Sequence, residues 1–432
     1  MSSNEWSSDN LPSHVEAAFP QTIGLRNISP LRMAKIHAPE EYVDRARNEI
    51  ATVLYFWAYR SEMWTIVGFT ASPADRLSAA APVAHPIVDV LQSQLVVRCQ
   101  PLSLSERDTL ARHAFMRYLT AQGLPVPELV ARPEDVTYAV VPFVSLTDPQ
   151  QASGFTYVLE NPIYELQRYM PGRRFVTDGP SEDIYLEAAA QTLAALHNAS
   201  FAYVGPAHEW LPERGTLPIA QIYLGHIAEA SRDVALPRSV ASALRRLARA
   251  GMQWTAQAIE RIESHPALPR LHVHGDYQPH NLAFDGDRVI ALYDFDAMHR
   301  DWRVIELAYA LLAFTGLRWE DDTAASVSEP ALPLVERGLD LERARAFLDA
   351  YGRISPPQPE EADLLGDALL LVLPVIFSNG VAEDLVYPER MTGLGPSPRE
   401  SRARVEWAET FPGWVEAHRS DLRDAWVRRA VH

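Results

Sequence analysis

The segment from Leu271 to Asp294 constrains the fold of this chain most strongly, because it places short strands inside a second half that is otherwise mainly helical. Its apolar residues change from a helical period to the pattern of short strands, and Asp285-Gly286 predicts the turn of a hairpin. A polar run from His272 to Asn281 precedes the hairpin and is typical of a loop. The hairpin could therefore return the chain to the end at which this loop lies.

Three oxygen-bearing side chains in this segment are the candidate functional groups, namely Asp276, Asn281 and Asp294. Phosphoryl transfer from ATP needs an acceptor hydroxyl in line with the γ-phosphate and a magnesium ion on the phosphate oxygens. Magnesium prefers oxygen ligands and keeps several waters, so one carboxylate and one amide suffice from the protein. We expect Asp276 to orient the hydroxyl and take its proton, and Asn281 and Asp294 to hold Mg²⁺.

The chain divides by pattern into three parts. Residues 1–30 predict a flexible N-terminal arm, residues 31–170 a mixed part with strands and one long helix, and residues 171–432 a mostly helical part. The long helix should begin at Ser105, with Asp108 in reciprocal capping, and end at Gly123. In the last part, Pro412-Gly413 predicts a break or a kink between two helices. A cleft between two lobes is a natural site for a small molecule.

Charge and composition narrow the function. The net charge is −17, from 39 basic and 56 acidic residues, which opposes general nucleic-acid binding. One cysteine, Cys99, fits a reducing compartment, and we see neither a secretion signal nor a membrane-length apolar run, so we expect a cytoplasmic protein that does not bind membranes. Lys35 is the only lysine, so a protein cation beside a phosphate must be an arginine.

The spacing His274-x-Asp276-x-x-x-x-Asn281, followed by Asp294-Phe-Asp296, resembles the catalytic loop and metal-binding motif of the aminoglycoside phosphotransferase and choline kinase family, including the homoserine kinase type. The resemblance implies a bilobed, protein-kinase-like α+β fold, with a small antiparallel-sheet N-lobe and a mostly helical C-lobe. It implies an ATP- and Mg²⁺-dependent phosphotransferase that acts on a hydroxyl group of a small molecule. His274 is then expected to be structural, hydrogen-bonded beneath the loop.

Two further segments resemble the nucleotide-binding parts of that family. Leu95-Val-Val-Arg98 resembles the strand that carries the phosphate-contacting cation, which assigns this role to Arg98. Tyr164-Glu-Leu-Gln-Arg-Tyr-Met-Pro-Gly172 resembles the hinge that receives adenine through backbone hydrogen bonds, which brings Gln167, Arg168 and Tyr169 to the nucleotide.

The chain also departs from the family pattern. The long helix has Arg112 and His113 where the family offers a glutamate to the cation, and no glycine-rich phosphate loop precedes Leu95. Glu306 stands where the family usually has aspartate.

Two other readings stay open on the sequence alone. The departures motivate a catalytically weak, kinase-like binding or regulatory module. His272-x-His274-x-Asp276 has the spacing of a metallohydrolase site, which predicts bound zinc. The acceptor is not readable, because aminoglycosides, other antibiotics, amino-alcohols, amino acids and sugars all fit.

Overall fold

The computed structural model describes residues 5–6, 22–32, 62–70, 93–99, 105–130, 136–140, 143–147, 156–160, 163–168, 170, 172–206, 216–232, 238–319, 332–335, 337–381 and 398–427. These residues belong to two compact units. The first unit comprises Met1–Arg117 and Pro127–Pro171, and the second comprises Tyr118–Val126 and Gly172–His432.

The described residues of the first unit form two sheets. Its strands are β1 (Glu5–Trp6), β2 (Thr22–Arg32), β3 (Glu62–Thr70), β4 (Ser93–Cys99), β5 (Tyr138–Val140), β6 (Phe143–Thr147), β7 (Thr156–Glu160) and β8 (Ile163–Arg168). An antiparallel sheet of five strands has the order β2-β3-β4-β8-β5. A second sheet has the order β1-β6-β7. Strand β2 begins at Thr22, inside the segment 1–30 for which the sequence predicts a flexible arm. The backbone of β2 pairs with that of β3.

Helix α1 (Glu106–Ala121) has the ends that its sequence predicts. The Ser105 Oγ accepts a hydrogen bond from the Asp108 main-chain N–H (3.2 Å), and the Ser105 N–H donates to the Asp108 carboxylate (3.0 Å). This reciprocal cap satisfies donors at the start of the helix. Gly123 follows the last turn with φ of 81°, the left-handed conformation that ends helices.

The second unit is mostly helical. Its helices are α2 (Glu182–Phe201), α3 (Thr216–Ala230), α4 (Arg238–Glu263), α5 (Arg303–Thr315), α6 (Leu341–Gly352), α7 (Pro359–Asp363), α8 (Leu365–Val381) and α9 (Pro398–Val427). The described residues of this unit also form three antiparallel strand pairs: β9 (Arg270–Val273) with β12 (His299–Trp302), β10 (Leu282–Asp285) with β11 (Arg288–Leu292), and β13 (Leu317–Arg318) with β14 (Leu332–Pro333). Every residue of α5 is buried except Tyr309, so this helix forms the centre of the unit.

Of the break or kink predicted at Pro412-Gly413, the break is wrong, because α9 continues through both residues. Ala408, Phe411 and Val415 are fully buried on either side of the proline. A proline inside a helix costs about 3 kcal/mol, whereas each large apolar side chain gains about 1.5–3 kcal/mol on full burial. Packing of α9 on α6, α8 and α4 therefore outweighs the local preference. No helix in the described part of the chain is both long and apolar enough to cross a membrane.

Candidate active site

The loop between β9 and β10 carries Asp276 and Asn281, and its path depends on Gly275. Gly275 has φ of 84°, and a Cβ atom at this position would lie 2.0 Å from the carbonyl oxygen of Ala297. Only glycine fits such a close approach without moving the backbone. The Gly275 N–H donates to Glu306 Oε1 on α5 (2.6 Å), which fixes the loop to the centre of the unit.

Asn281 is joined to Asp276 by its amide nitrogen. Nδ2 donates to the main-chain oxygen of Asp276 and to its Oδ2, both at 2.8 Å. Asn281 ends a short 3₁₀ helix, Pro279–Asn281, and is only 4% exposed. Because the nitrogen end of the amide faces Asp276, the oxygen end is the part that could bind a cation.

The carboxylate of Asp276 accepts hydrogen bonds from two more side chains. Gln278 Nε2 lies 2.9 Å from each carboxylate oxygen, and the hydroxyl of Tyr309 donates to Oδ1 at 2.5 Å. Burial raises the pKa of Tyr309 well above its usual range, and the charge of Asp276 raises it further. Tyr309 is therefore a neutral donor at any physiological pH. No local sequence pattern indicates this tyrosine, which lies 33 residues from Asp276.

Asp294 lies two residues after the end of the second strand of the hairpin, at Leu292. Leu282 pairs with Leu292, and the Tyr293 N–H donates to the Asn281 main-chain oxygen (2.8 Å), so Asp294 lies at the same end of the hairpin as Asn281. Its φ and ψ of 65° and 64° are left-handed, a conformation that aspartate tolerates better than most residues. The turn that returns the chain consists of Gly286, at φ of 60°, and Asp287, one residue later than the predicted Asp285-Gly286, because Asp285 pairs with Arg288 in the ladder.

His274 is buried beneath the loop, with both ring nitrogens engaged by main-chain atoms. Nε2 donates to the Tyr293 carbonyl (2.7 Å), and Nδ1 accepts from the Asp276 N–H (3.2 Å). This arrangement agrees with a structural role and opposes the metallohydrolase reading, which needs a free nitrogen. Among the described residues, no group of three or more His, Cys, Asp and Glu side chains is arranged to hold a metal ion.

Glu306 connects the loop to two helices of the second unit. Its Oε2 pairs with His197 Nε2 (2.8 Å), and His197 Nδ1 contacts the hydroxyl of Tyr351 (2.7 Å). Burial tends to raise the pKa of Glu306, but the hydrogen bond and charge of His197 outweigh it, so the pKa is lowered. One carboxylate oxygen binds His197 while the other accepts from Gly275, so Glu306 supports the loop from below.

The predicted nucleotide-binding residues lie in the first unit. Arg98 is in β4, opposite Glu165 of β8 in the register, and its side chain lies outside the described residues, as does the whole of Tyr169. Gln167 is buried, with Nε2 2.7 Å from Glu165 Oε1. Arg168 is exposed, but its main-chain N–H donates to the Glu128 carbonyl (2.9 Å). That N–H is therefore engaged within the protein.

Beneath the same sheet lies a buried charged cluster on Glu165. Arg112 and His113 of α1 both contact its carboxylate, His113 at 2.6 Å, and Arg112 and Glu165 are completely buried. His113 also contacts Thr137 Oγ1 at 2.7 Å. The helix thus supplies the cation and strand β8 the carboxylate of this pair. The sequence shows Arg112 and His113 in this helix, but nothing in it identifies Glu165 as their partner.

Comparison with known proteins identifies relatives. The model of the phosphotransferase enzyme family matches residues 87–356, more than half of the chain. No curated protein sequence matches it. A microcompartment-associated aminopropanol kinase is a structural neighbour at 12% identity and a TM-score of 0.53, covering 96% of this chain and 99% of its own. Choline kinase from Cryptosporidium parvum has 11% identity and a TM-score of 0.51, covering 97% and 99%. Spectinomycin phosphotransferase, solved with ADP and spectinomycin, has 9% identity and a TM-score of 0.50, covering 96% and 98%.

These matches confirm two predictions made from the sequence. The first is the resemblance to aminoglycoside phosphotransferases and choline kinases, which rests on the family match and on the structural neighbours together. The second is the protein-kinase-like α+β fold class. The neighbours share too little sequence to say more than the fold.

Proposed function

Because this chain belongs to the phosphotransferase enzyme family and is a small-molecule kinase, we propose that it transfers the γ-phosphate of ATP, with Mg²⁺, to a hydroxyl group of a small molecule. The observation that carries this proposal is the contact between Asp276 and Asn281. The carboxylate of Asp276, which can accept a proton, lies 2.8 Å from the amide nitrogen of Asn281. The amide oxygen of Asn281 then remains to bind a cation.

Asp276 is the proposed proton acceptor. Its two carboxylate oxygens receive donors from Gln278, Asn281 and Tyr309, which hold the group in one orientation. Gln278 Nε2 lies 2.9 Å from both carboxylate oxygens and is therefore not bound to one of them in particular. We propose that an acceptor hydroxyl donates to this carboxylate in place of Gln278. Asp276 then receives the hydroxyl proton as the oxygen attacks phosphorus, and ADP departs with the displaced oxygen.

Asn281, through its amide oxygen, and Asp294, through its carboxylate, are the proposed magnesium ligands. Oxygen donors suit this hard ion, and two of them are enough because magnesium keeps several waters. When bound, the ion neutralises charge on the phosphate oxygens. The left-handed backbone at Asp294 is an observation that fits a functional position, since strained conformations concentrate at active sites.

For the nucleotide, we propose phosphate contact by Arg98 and adenine recognition around Gln167, Arg168 and Tyr169. The position of Arg98 on a strand beside the hinge strand β8 supports this assignment. The single cysteine supports a cytoplasmic location.

The test is transfer of label from [γ-³²P]ATP in the presence of Mg²⁺ to choline, ethanolamine, 1-amino-2-propanol, aminoglycosides, spectinomycin, homoserine and sugars. We expect transfer to one class, and loss of transfer when EDTA removes the metal. Asp276→Asn should lower turnover about a thousandfold with unfolding temperature unchanged. Asp287→Asn, an exposed aspartate in the hairpin turn, is the matched control and should keep the rate. A wild-type rate for Asp276→Asn refutes the mechanism.

A further inference from the structure

We propose that Tyr309 is a positioning residue for Asp276, holding the carboxylate in its reactive orientation from helix α5. This inference rests on the proposed role of Asp276 in phosphate transfer. Its basis is the hydrogen bond from the Tyr309 hydroxyl to Asp276 Oδ1, at 2.5 Å. Hydrogen bonds to ionised groups are shorter and stronger than neutral ones.

The contact differs from the other two that Asp276 receives. Gln278 and Asn281 belong to the same loop as Asp276 and move with it. Tyr309 belongs to α5, where every other residue is buried. In the part of the chain that the structure describes, Tyr309 is the one side chain from outside the loop with an observed hydrogen bond to this carboxylate. Tyr309 therefore connects the Asp276 carboxylate to the buried helix α5 at the centre of the unit.

One face of α5 holds the loop at two successive points. Glu306 accepts from the Gly275 N–H at 2.6 Å, and Tyr309, three residues later, donates to the side chain of Asp276 at 2.5 Å. Residues three apart lie on the same face of a helix, so the two contacts are neighbours. Glu306 fixes the backbone before Asp276, and Tyr309 fixes the carboxylate itself.

A small cavity lies beside this face of α5, lined by Gly275, His299, Asp301, Glu306 and Tyr309 among others. The Asp276 carboxylate does not line it, and of the three side chains that donate to this carboxylate only Tyr309 comes from α5. Because the pKa of Tyr309 lies well above its usual range, the phenol remains a donor and does not compete for the transferred proton.

The test compares Tyr309→Phe with wild type in Mg²⁺-ATP, using the best acceptor from the panel above and, separately, water as acceptor with release of inorganic phosphate. Removing the hydroxyl should lower kcat about tenfold to a hundredfold, while KM for ATP stays within about twofold. Replacing Tyr309 by para-aminophenylalanine, which keeps a donor at the same place, should restore kcat to within about threefold of wild type. Tyr118→Phe removes a hydroxyl bond to the Ala199 carbonyl instead and should leave kcat unchanged.

Crystal structures of wild type and Tyr309→Phe give a readout that needs no activity. We expect the Asp276 carboxylate to rotate in the variant while α5 stays in place. An unchanged carboxylate orientation, or a kcat within twofold of wild type, overturns the inference. Asp276→Asn, measured in parallel, separates the two failures. If it abolishes transfer while Tyr309→Phe does not, only the role of Tyr309 is wrong; if it too keeps the wild-type rate, the proposed function fails.

Discussion

Acidification from pH 7 to pH 5 should lower the free energy of unfolding of the second unit because of His272. This residue lies in β9, four positions before Asp276. This histidine in β9 is 7% exposed, with its ring 4.8 Å from that of Tyr203. Burial lowers its pKa from 6.5 to about 4, and the positive charge of Arg300 and that of His299 act in the same direction. The folded protein therefore keeps this ring neutral where the unfolded chain protonates it.

The sign and size of the effect follow from proton binding. Between pH 6.5 and about 4 the unfolded state binds a proton that the folded state does not, so the free energy of unfolding falls as the pH falls. At about 1.36 kcal/mol per pH unit, the difference amounts to about 3 kcal/mol at most. About 2 kcal/mol of this is lost between pH 7 and pH 5.

Urea unfolding at the two pH values measures the effect. His272→Gln cannot titrate in this range, so wild type should lose about 2 kcal/mol more than the variant between pH 7 and pH 5. Comparing the two proteins cancels the contributions of all other groups. His265→Gln, two residues after the end of α4 and only partly buried, controls for the loss of a histidine as such. Equal losses in wild type and His272→Gln would refute the reasoning, because His272 would then bind its proton equally well in both states.

Two substitutions with matched controls test other parts of the structure. Gly275→Ala should lower kcat at least about tenfold, because the added Cβ would collide with the backbone of Ala297. The control Gly286→Ala has open space around the added Cβ and should cost only about 1–2 kcal/mol of stability, with kcat unchanged. Steady-state kinetics and thermal unfolding distinguish the two variants. Arg112→Met should cost about 3–5 kcal/mol in urea unfolding, because it leaves the buried charge of Glu165 without its arginine, whereas Arg246→Met removes an exposed ion pair and should cost about 0–1 kcal/mol. A small loss for Arg112→Met would mean that the buried carboxylate of Glu165 does not depend on Arg112 for its compensation.

The parts of the fold that were predictable have local signals. The α1 cap at Ser105 and a hairpin turn that contains Gly286 are each encoded within a few residues, and both occur in the structure, the turn one residue later than predicted. The hairpin register then makes the return of Asp294 to the Asn281 end a geometric consequence. The roles of these side chains stay predictions until they are tested.

The parts that were not predictable depend on contacts distant in sequence. Glu165 is 53 residues from Arg112, and Tyr309 is 33 residues from Asp276, so no spacing rule connects them. The continuity of α9 through Pro412 likewise depends on buried neighbours supplied by other helices. In each case the deciding energy comes from tertiary packing or a buried ion pair, which a local pattern does not contain.

The backbone at Asp294 has a consequence for directed evolution of this enzyme. A left-handed conformation costs a non-glycine residue about 1 kcal/mol or more, so Asp294→Gly should raise the unfolding temperature while removing a proposed magnesium ligand. A library screened for thermal tolerance alone would enrich that substitution and discard the catalyst. Screening for heat resistance and phosphate transfer together should retain aspartate, and sequencing the survivors of both screens would show whether position 294 separates them.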